Sequence, residues 1–384
     1  MIIRQFWTGK IEAAWKQRPI VWLFGVRRVG KTTLAKMFSD AIYLNCDLPS
    51  TSRRLADPEL FFEQVNGNRI IIFDEIHRLE NPSLILKIAA DEYPELRILA
   101  TGSSTLAATH KFRDSLTGRK QSILLPPVLW TECQNEFNQK DLDHRLIQGG
   151  LPEMLLANEK KPEFYAEWLD SFYARDIQEL FSIRQRTGFL KMLRLLFCQS
   201  GGLLNNTNLA KLSELSRPTV NSYLEAMQIA NAIYLLPPFH GGGRREILQQ
   251  RKCYGFDTGF ITYLNGWSTL RSNERGLLWE HLVLDTLRTF SDEQAIFYWR
   301  DKSDREVDFI IKTRNDRVLT LECKISLENY DPKSLIAFRT LYPDGDNYLV
   351  CPFIKESYQV RIENHILRVV GMNDILKLPA LLQA

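Results

Sequence analysis

The chain has 384 residues, of which 45% are hydrophobic and 25% charged, the proportions of ordinary soluble globular proteins. Its length predicts two or three domains, and its net charge of +3 is too small to indicate nucleic acid by itself. No apolar run approaches the ~18 residues of a membrane helix, and the charged first segment is unlike a signal peptide. We therefore expect a soluble, cytoplasmic protein with no membrane partner. Six cysteines without a CxxC pair argue against a disulfide framework and a structural zinc site.

The first third of the chain alternates short apolar strands with helical segments. This pattern predicts a parallel sheet with helices on both faces. The strands are expected at residues Pro19–Phe24, Arg69–Asp74 and Arg97–Gly102. Each ends in a polar or glycine-containing turn, and open parallel sheets bind their ligands at that edge. We expect a ligand site where these strands end.

A phosphate-binding loop follows the first strand. The segment GVRRVGKT at residues 25–32 matches the pattern GxxxxGK[ST] at every fixed position. Glycines at the first and sixth positions let the backbone approach phosphate oxygens. The lysine would reach the β- and γ-phosphates, and the threonine hydroxyl would bind Mg²⁺. The residues predicted to hold ATP are Gly25, Val26, Arg27, Arg28, Val29, Gly30, Lys31, Thr32 and Thr33.

The second predicted strand ends in two carboxylates, Asp74 and Glu75. Together with Thr32, Asp74 would hold Mg²⁺ through its water shell, and Glu75 would orient and activate the attacking water. An apolar strand ending in this way is the expected partner of a phosphate-binding loop. The sequence therefore predicts a Mg²⁺-dependent ATPase.

Further groups could act at the γ-phosphate. Ser103, at the end of the third strand, is the candidate sensor, although the same residues could simply form a strand-terminating turn. Arg119 is the first candidate for an arginine supplied by a neighbouring subunit, and Arg175 is the second. Each arginine could equally be a solvated surface charge.

The middle of the chain, from about residue 140 to 230, shows helical periodicity. Leu209–Met227 reads as helix, turn and helix with Ser216 as N-cap, and a hairpin follows between Ala232 and Phe256. This order is typical of a winged helix. Contacts with DNA are predicted from the second helix and the basic hairpin, at Arg217, Thr219, Asn221, Arg244, Arg245, Arg251 and Lys252. The alternatives are subunit packing and a merely solvated hairpin.

The last third reads as a second α/β unit. A helix at Gly276–Phe290 precedes strands at Ala295–Trp299, Glu306–Ile311 and Val318–Ile325. This unit carries three carboxylates and a lysine that could form a metal site for phosphodiester cleavage. These residues are Glu280, Asp308, Glu322 and Lys324. The alternative is a salt-bridged face on an edge hairpin.

Several motifs in this order resemble one family of proteins. They are Gly25–Thr32, Ile71–Glu75, Thr101–Ser104, Leu116–Arg119, Gly149–Glu153, Tyr173–Ile177, Asp257–Gly259 and Gly276–Glu280. Together they resemble prokaryotic AAA+ ATPases of the swapped-hairpin type, which carry a winged helix and a C-terminal PD-(D/E)XK nuclease-like domain. The resemblance implies a homo-oligomeric ring, expected to be a hexamer, that acts on structured DNA such as four-way junctions.

The sequence thus predicts an α/β protein of three domains. They are a P-loop AAA+ core at residues 1–138, a helical lid and winged-helix region at 139–266, and a PD-(D/E)XK-like domain at 267–384. The expected function is a DNA-stimulated ATPase that remodels branched DNA, as in Holliday-junction branch migration. One alternative is an ATP-dependent, metal-dependent endonuclease. Another is a nucleotide-switch regulator that uses the nuclease-like domain for docking.

Overall fold

The structure is a computed structural model that describes residues 2–65, 69–102, 116–181, 183, 185–240, 250–289, 296–312 and 317–378. The described chain forms sheets of five, three and six strands, connected by helices. Within these ranges no helix is both long and apolar enough to cross a membrane. All six cysteines are free. Five are buried, whereas Cys198 is exposed at the end of a helix.

The N-terminal sheet has five parallel strands in the order β2-β3-β4-β1-β5. Their bounds are β1 Ile20–Phe24, β2 Ile42–Asn45, β3 Ile70–Asp74, β4 Arg97–Gly102 and β5 Lys120–Leu124. The helices of this region are α1 Gln5–Trp15, α2 Lys31–Ala35, α3 Pro49–Arg54, α4 Pro58–Glu63 and α5 Pro82–Glu92, with a 3₁₀ turn at Ile76–Arg78. The parallel sheet is confirmed. β2 and β5 are additions that the sequence did not reveal, because both are short and carry polar residues.

Alternate residues of each strand enter different cores, so both faces of this sheet are covered. On β1, Val21 and Leu23 pack in the core that includes α1, whereas Ile20 and Trp22 pack in the core that includes α4 and α5. Ligands of open parallel sheets bind at the carboxyl edge, where the strands end.

The middle region is mainly helical. Its helices are α6 Trp130–Asn135, α7 Leu142–Gln148, α8 Pro152–Leu155, α9 Pro162–Phe172, a π-helix at Tyr173–Ile177, α10 Gln178–Phe181, α11 Arg186–Cys198, α12 Asn206–Ser213, α13 Arg217–Ile229 and α14 Thr258–Leu264. Ser216 Oγ accepts the backbone N–H of Thr219 at the start of α13, as predicted for an N-cap. β6 Gly202–Leu203, β7 Ile233–Leu236 and β8 Lys252–Gly255 form an antiparallel sheet beside these helices.

The C-terminal sheet has six strands in the order β13-β14-β12-β11-β10-β9. The strands are β9 Ile296–Arg300, β10 Glu306–Lys312, β11 Val318–Cys323, β12 Asn347–Val350, β13 Tyr358–Ile362 and β14 His365–Val370. The helices are α15 Ser272–Leu287, α16 Lys333–Leu341 and α17 Met372–Ile375, with a 3₁₀ turn at Leu327–Asn329. β10 and β11 lie inside the sheet, so they do not form the edge hairpin that one alternative supposed.

The middle region is joined to the C-terminal sheet through backbone contacts. After β7, the backbone of Phe239 donates to Tyr298 O at 2.6 Å, and Tyr298 N donates to Pro237 O at 3.1 Å. Trp130 and Leu146 of the middle helices share a core with Leu278 of α15. The predicted boundary near residue 266 therefore separates regions that pack closely together.

Candidate functional site

The segment Gly25–Thr32 turns from the end of β1 into α2. Gly25 has φ +153°, and a Cβ added there would lie 2.4 Å from the backbone oxygen of Leu125. Gly30 has φ +99°, and Arg28 also adopts a left-handed conformation, with φ 61°. Glycine tolerates such angles at little cost. The loop is therefore wrapped tightly at the carboxyl edge of the sheet, as the phosphate-binding pattern predicts.

Lys31 lies folded over this loop. Its Nζ donates to the backbone oxygens of Gly25 at 2.9 Å and Val26 at 3.2 Å. Burial lowers the pKa of the Lys31 ammonium, and nearby carboxylates partly offset that effect. An anionic oxygen is a stronger acceptor for an ammonium than a backbone carbonyl. The lysine is thus placed to exchange its carbonyl partners for phosphate oxygens.

Asp74, at the end of β3, is surrounded by hydroxyl groups. Its carboxylate accepts from Thr32 Oγ1 at 3.2 Å, from Tyr43 OH at 2.6 Å and from Thr101 Oγ1 at 2.6 Å. Carboxylate and hydroxyl oxygens are ligands that suit Mg²⁺, which usually takes few protein groups and several waters or phosphate oxygens. Thr32 and Asp74 therefore fit the metal that the sequence predicts.

Glu75 follows directly and has a left-handed backbone, with φ 57°. Its N–H donates to Thr101 Oγ1 at 3.0 Å, and its Oε2 lies 3.2 Å from His77 Nδ1. Burial raises the pKa of Glu75 and lowers the pKa of His77 to about 4. His77 is therefore neutral at pH 7, and it positions the Glu75 carboxylate without forming an ion pair.

Lys31, Thr32, Glu75 and His77 line one cavity of about 650 Å³, a volume typical of small-molecule sites. Its lining also includes charged and apolar residues, which are Arg4, Arg27, Arg28, Glu153, Asp176, Ile2, Met37, Phe137, Pro152 and Leu156. Such a mixed lining suits a ligand with a charged phosphate chain and a flat base.

The other residues predicted for the γ-phosphate are Ser103, Arg119 and Arg175. Ser103 lies outside the described residues. Arg119 binds Asp91 through two hydrogen bonds, of 2.5 Å from Nε and 3.0 Å from Nη2. Arg175 is exposed on the π-helix. Neither arginine lines the cavity of its own chain, so a role in a neighbouring subunit's site stays a prediction for both.

Sequence reasoning missed Tyr43, Thr101 and Asp176. Tyr43 lies on the short strand β2, which no pattern revealed. Thr101 stands two residues before the predicted sensor, in the same strand end. Asp176 lies in the segment Tyr173–Ile177, which entered only as part of the family resemblance. Their contacts with Asp74 and Arg27 span between 27 and 149 residues of sequence.

In the C-terminal sheet, Asp308, Glu322 and Lys324 come together. The register that pairs Phe309 with Leu321 places Asp308 opposite Glu322. Lys324 Nζ lies 3.6 Å from Asp308 Oδ2 and 3.5 Å from Glu322 Oε2. Asp308 Oδ2 also accepts the backbone N–H of Cys323 at 2.8 Å.

Glu280, on α15, is bound by side chains from β8. It accepts from Tyr254 OH and, at 3.2 Å, from Lys252 Nζ, which also lies 2.5 Å from Glu306 Oε1. Burial raises the pKa of Glu280 to about 6. Lys252 is only 3% exposed. The structure contradicts its prediction as a DNA contact, because its ammonium group is buried at the start of β8 and is paired with Glu280 and Glu306.

The carboxylates of this cluster are paired with lysines. Among the residues that the structure describes, no three His, Cys, Asp or Glu side chains are arranged to hold a metal ion. Metal binding by Glu280, Asp308, Glu322 and Lys324 therefore stays a prediction, which the pairing of the carboxylates with lysines does not favour. The cluster forms a buried ion-pair network between the middle region and the C-terminal sheet.

The remaining predicted DNA contacts lie at the start of α13 and beside β8. Arg217, Asn221 and Arg251 are exposed. Thr219 is half-buried, with its hydroxyl 2.7 Å from Ser216 Oγ, so it serves the helix cap. Asn221 Oδ1 accepts from Asn206 Nδ2 at 2.9 Å. Arg244 and Arg245 lie outside the described residues.

Comparison with known families divides the chain into three matched segments. Residues 17–134 match the family model of the AAA domain. Residues 139–271 and 275–381 match two domains of unknown function, DUF8612 and DUF4143. The cavity built around the phosphate-binding loop thus lies mainly in the segment that matches the AAA domain.

Similar full-length proteins have no described function. An uncharacterized protein of Mycobacterium tuberculosis, Rv2008c, is 25% identical over 81% of this chain and 72% of its own length. An uncharacterized protein of Methanocaldococcus jannaschii, MJ1544, is 26% identical over 91% of this chain and 86% of its own. Among solved structures, a Thermotoga maritima RuvB variant is 15% identical and covers 62% of this chain and 90% of that chain, with a TM-score of 0.31.

Proposed function

We propose, starting from the AAA domain at residues 17–134, that this chain binds ATP with Mg²⁺ and hydrolyses it. One observation carries the proposal. Lys31, Thr32 and Glu75 line a single cavity at the carboxyl edge of the parallel sheet, and Asp74 contacts Thr32 at its base. These are the groups needed to hold a triphosphate, hold its metal and direct a water.

Each group has a distinct role in this proposal. Lys31 leaves the loop carbonyls and binds phosphate oxygens, while the loop's backbone N–H groups surround the phosphates. Thr32 and Asp74 hold Mg²⁺, which when bound neutralises charge on the phosphate oxygens. Glu75, held by His77 and by the hydroxyl of Thr101, orients the attacking water.

We further propose that ATP turnover drives remodelling of structured DNA. The exposed Arg217 and Arg251 support contact with phosphates, and Asn221 supports contact with a base edge. The family resemblance motivates a ring, expected to be a hexamer, and branched DNA such as a Holliday junction. The endonuclease alternative draws no support from the lysine-paired carboxylates. A nucleotide switch remains the rival proposal.

The test is steady-state ATP turnover with Mg²⁺, in the absence of DNA and with single strands, duplex and four-way junctions. Lys31→Ala should lower turnover roughly 10³-fold. Glu75→Gln should keep ATP binding and lower turnover at least ~10²-fold. Lys87→Ala, on the exposed face of α5, is the matched control and should behave as wild type.

The DNA panel separates the two proposals. Junctions should raise turnover more than duplex does. Turnover that ignores every DNA would support the switch and rule out DNA remodelling. Failure of the wild-type chain to bind ATP with Mg²⁺ in calorimetry would remove both.

A further inference from the structure

Two neighbouring arginines of the phosphate-binding loop pair with carboxylates of one helical stretch. Arg27 Nε donates to Asp176 Oδ2 at 2.6 Å, and Arg28 Nη2 donates to Glu167 Oε1 at 2.5 Å. The pairs differ in burial. The side chain of Asp176 is 12% exposed, whereas that of Glu167 is 67% exposed. The exposed pair of Arg28 and Glu167 is expected to contribute little to stability. The more buried pair of Arg27 and Asp176 therefore calls for a functional explanation.

The inner pair belongs to the nucleotide cavity. Arg27 and Asp176 line it together with Lys31 and Glu75. The charges of Arg27 and Asp176 also act on the titration of the neighbouring Lys31 and Glu75. Beyond the dominant effect of burial, Arg27 lowers the pKa of both Lys31 and Glu75, and Asp176 raises the pKa of Lys31. A guanidinium therefore stands near the residues that would handle the γ-phosphate.

Arg27 is fixed at two points. Asp176 holds its side chain, and the indole of Trp168 donates to its backbone oxygen at 3.1 Å. Asp176 reaches the loop from the π-helix Tyr173–Ile177, a helical irregularity that is often found at functional sites. Within the described residues Arg27 donates through Nε, which leaves its two terminal nitrogens for other acceptors.

We propose that Arg27 is an arginine supplied within the same chain that stabilises negative charge on the transferring phosphoryl group, and that Asp176 is its positioning residue. The inference rests on the ATPase activity proposed above. An arginine supplied in this way stabilises phosphoryl-transfer transition states in other P-loop enzymes. Because Asp176 fixes the guanidinium beforehand, less side-chain freedom is lost when phosphate oxygens are bound.

The first test is the turnover number of single variants against matched controls. Arg27→Ala should lower kcat by about 10³-fold, while KM for ATP changes roughly threefold or less. Asp176→Asn should lower kcat by roughly tenfold, and Asp176→Glu should recover part of that loss. Glu167→Gln, which breaks the outer pair from outside the nucleotide cavity, and Lys87→Ala should leave kcat within about twofold of wild type.

The second test separates transition-state stabilisation from nucleotide binding. The probes are ADP with Mg²⁺, with and without aluminium fluoride, which mimics the transferring phosphoryl group. Wild type and Glu167→Gln should bind the fluoride-containing combination much more tightly than ADP alone. Arg27→Ala should keep its affinity for ADP and lose the added affinity. Thermal unfolding of each variant checks that the fold is retained.

The outcomes distinguish this inference from the proposed function. Wild-type turnover that Lys31→Ala abolishes and Arg27→Ala leaves unchanged would overturn the role of Arg27 and keep the ATPase. An equal loss in Arg27→Ala and Glu167→Gln would also overturn it, since the effect would then follow from breaking either ion pair at the loop. If neither wild type nor any variant turned over ATP, both the proposed ATPase activity and the role of Arg27 would be contradicted.

Discussion

The molecule contains two groups of buried carboxylates for which the sequence predicted the same kind of site, a metal site. The surroundings of the two groups differ. Asp74, in the N-terminal sheet, accepts hydrogen bonds from the hydroxyls of Thr32, Tyr43 and Thr101. Glu280 and Glu322, in the C-terminal domain, lie beside the ammonium groups of Lys252 and Lys324. The hydrogen-bond partners named for the first carboxylate are neutral, whereas each of the others also has a cationic partner.

We infer that this difference favours a cation at the first carboxylate and an ion-pair network at the others. A hydroxyl can turn its lone pairs to a metal and join its coordination. An ammonium group has already neutralised the carboxylate and has no lone pair to offer. A pattern of acidic residues therefore predicts metal binding only when the neighbouring cations are also known.

The largest expected contrast is between neutralising one carboxylate of each kind. Asp74→Asn should lower Mg²⁺-dependent ATP turnover by roughly 10³-fold, because the metal loses its charged protein ligand. Glu322→Gln should leave turnover unchanged. Burial and then the neighbouring Asp308 raise the pKa of Glu322, so the charged form costs stability above the ordinary pKa of a glutamate. Urea denaturation at pH 8 should accordingly show no loss of unfolding free energy for Glu322→Gln.

Two results would contradict this contrast between the two groups of carboxylates. A large loss of DNA-independent turnover in Glu322→Gln, with an intact fold by circular dichroism, would contradict a structural role for the cluster. So would metal uptake by the wild-type C-terminal cluster that Asp74→Asn does not affect.

The next contrast concerns the cations of the network. Lys252→Met keeps much of the side-chain volume but leaves Glu280 and Glu306 without their shared ammonium group. Removing one partner of a buried ion pair typically costs about 3–5 kcal/mol. Arg251→Met, one residue earlier and exposed, is the matched control and should change stability by no more than ~0.5 kcal/mol. Urea denaturation measures both.

Arg251→Met also tests the DNA proposal, because Lys252 is buried and Arg251 is not. Arg251→Met should weaken binding to DNA at low salt without affecting stability.

If Lys252→Met were as stable as wild type, the ion-pair network would not hold the two regions together.

A smaller effect concerns His281, which lies beside Glu280 on α15. Its Nδ1 donates to Leu277 O at 2.8 Å, so its Nε2 accepts from Ser200 Oγ at 2.7 Å. Burial lowers the pKa of His281 to about 4. Between pH 6.5 and pH 4, His281 is therefore protonated in the unfolded chain and neutral in the folded chain. The free energy of unfolding falls as the pH falls through this range. The loss from this group is about 2 kcal/mol between pH 7 and pH 5.

His281→Gln should flatten the pH dependence of unfolding by that amount, whatever its effect at pH 7. His240→Gln makes the same substitution at an exposed position and serves as the matched control. Urea denaturation at pH 7, 6 and 5 gives the slopes. Equal slopes for wild type and His281→Gln would show that His281 titrates normally in the folded chain.

Local patterns predicted the parts of the molecule that local sequence determines. The loop at Gly25–Thr32 and the pair Asp74 and Glu75 are contiguous or follow apolar strands, so their positions at one sheet edge could be inferred. The helix-turn-helix was predictable because Ser216 marks the start of α13. The hairpin register that places Asp308 beside Glu322 follows from two adjacent strands.

Contacts between distant segments could not be predicted in this way. Lys252 stands beside Arg251 in a basic run, and only the packing of β8 against α15 shows that it is buried. Asp176 meets Arg27 across 149 residues, and no spacing in either segment indicates the other. The strand holding Tyr43 is too short to show an apolar pattern.

Trp168 lies where its fluorescence should respond to nucleotide binding. Its ring stacks on Phe172 at 5.0 Å and on Phe256, just after β8, at 4.7 Å, while its N–H donates to Arg27 O. Indole emission responds to hydrogen bonding and to aromatic neighbours. The arrival of a nucleotide at the loop should therefore change the fluorescence of this tryptophan, and the change should be absent when phenylalanine replaces it.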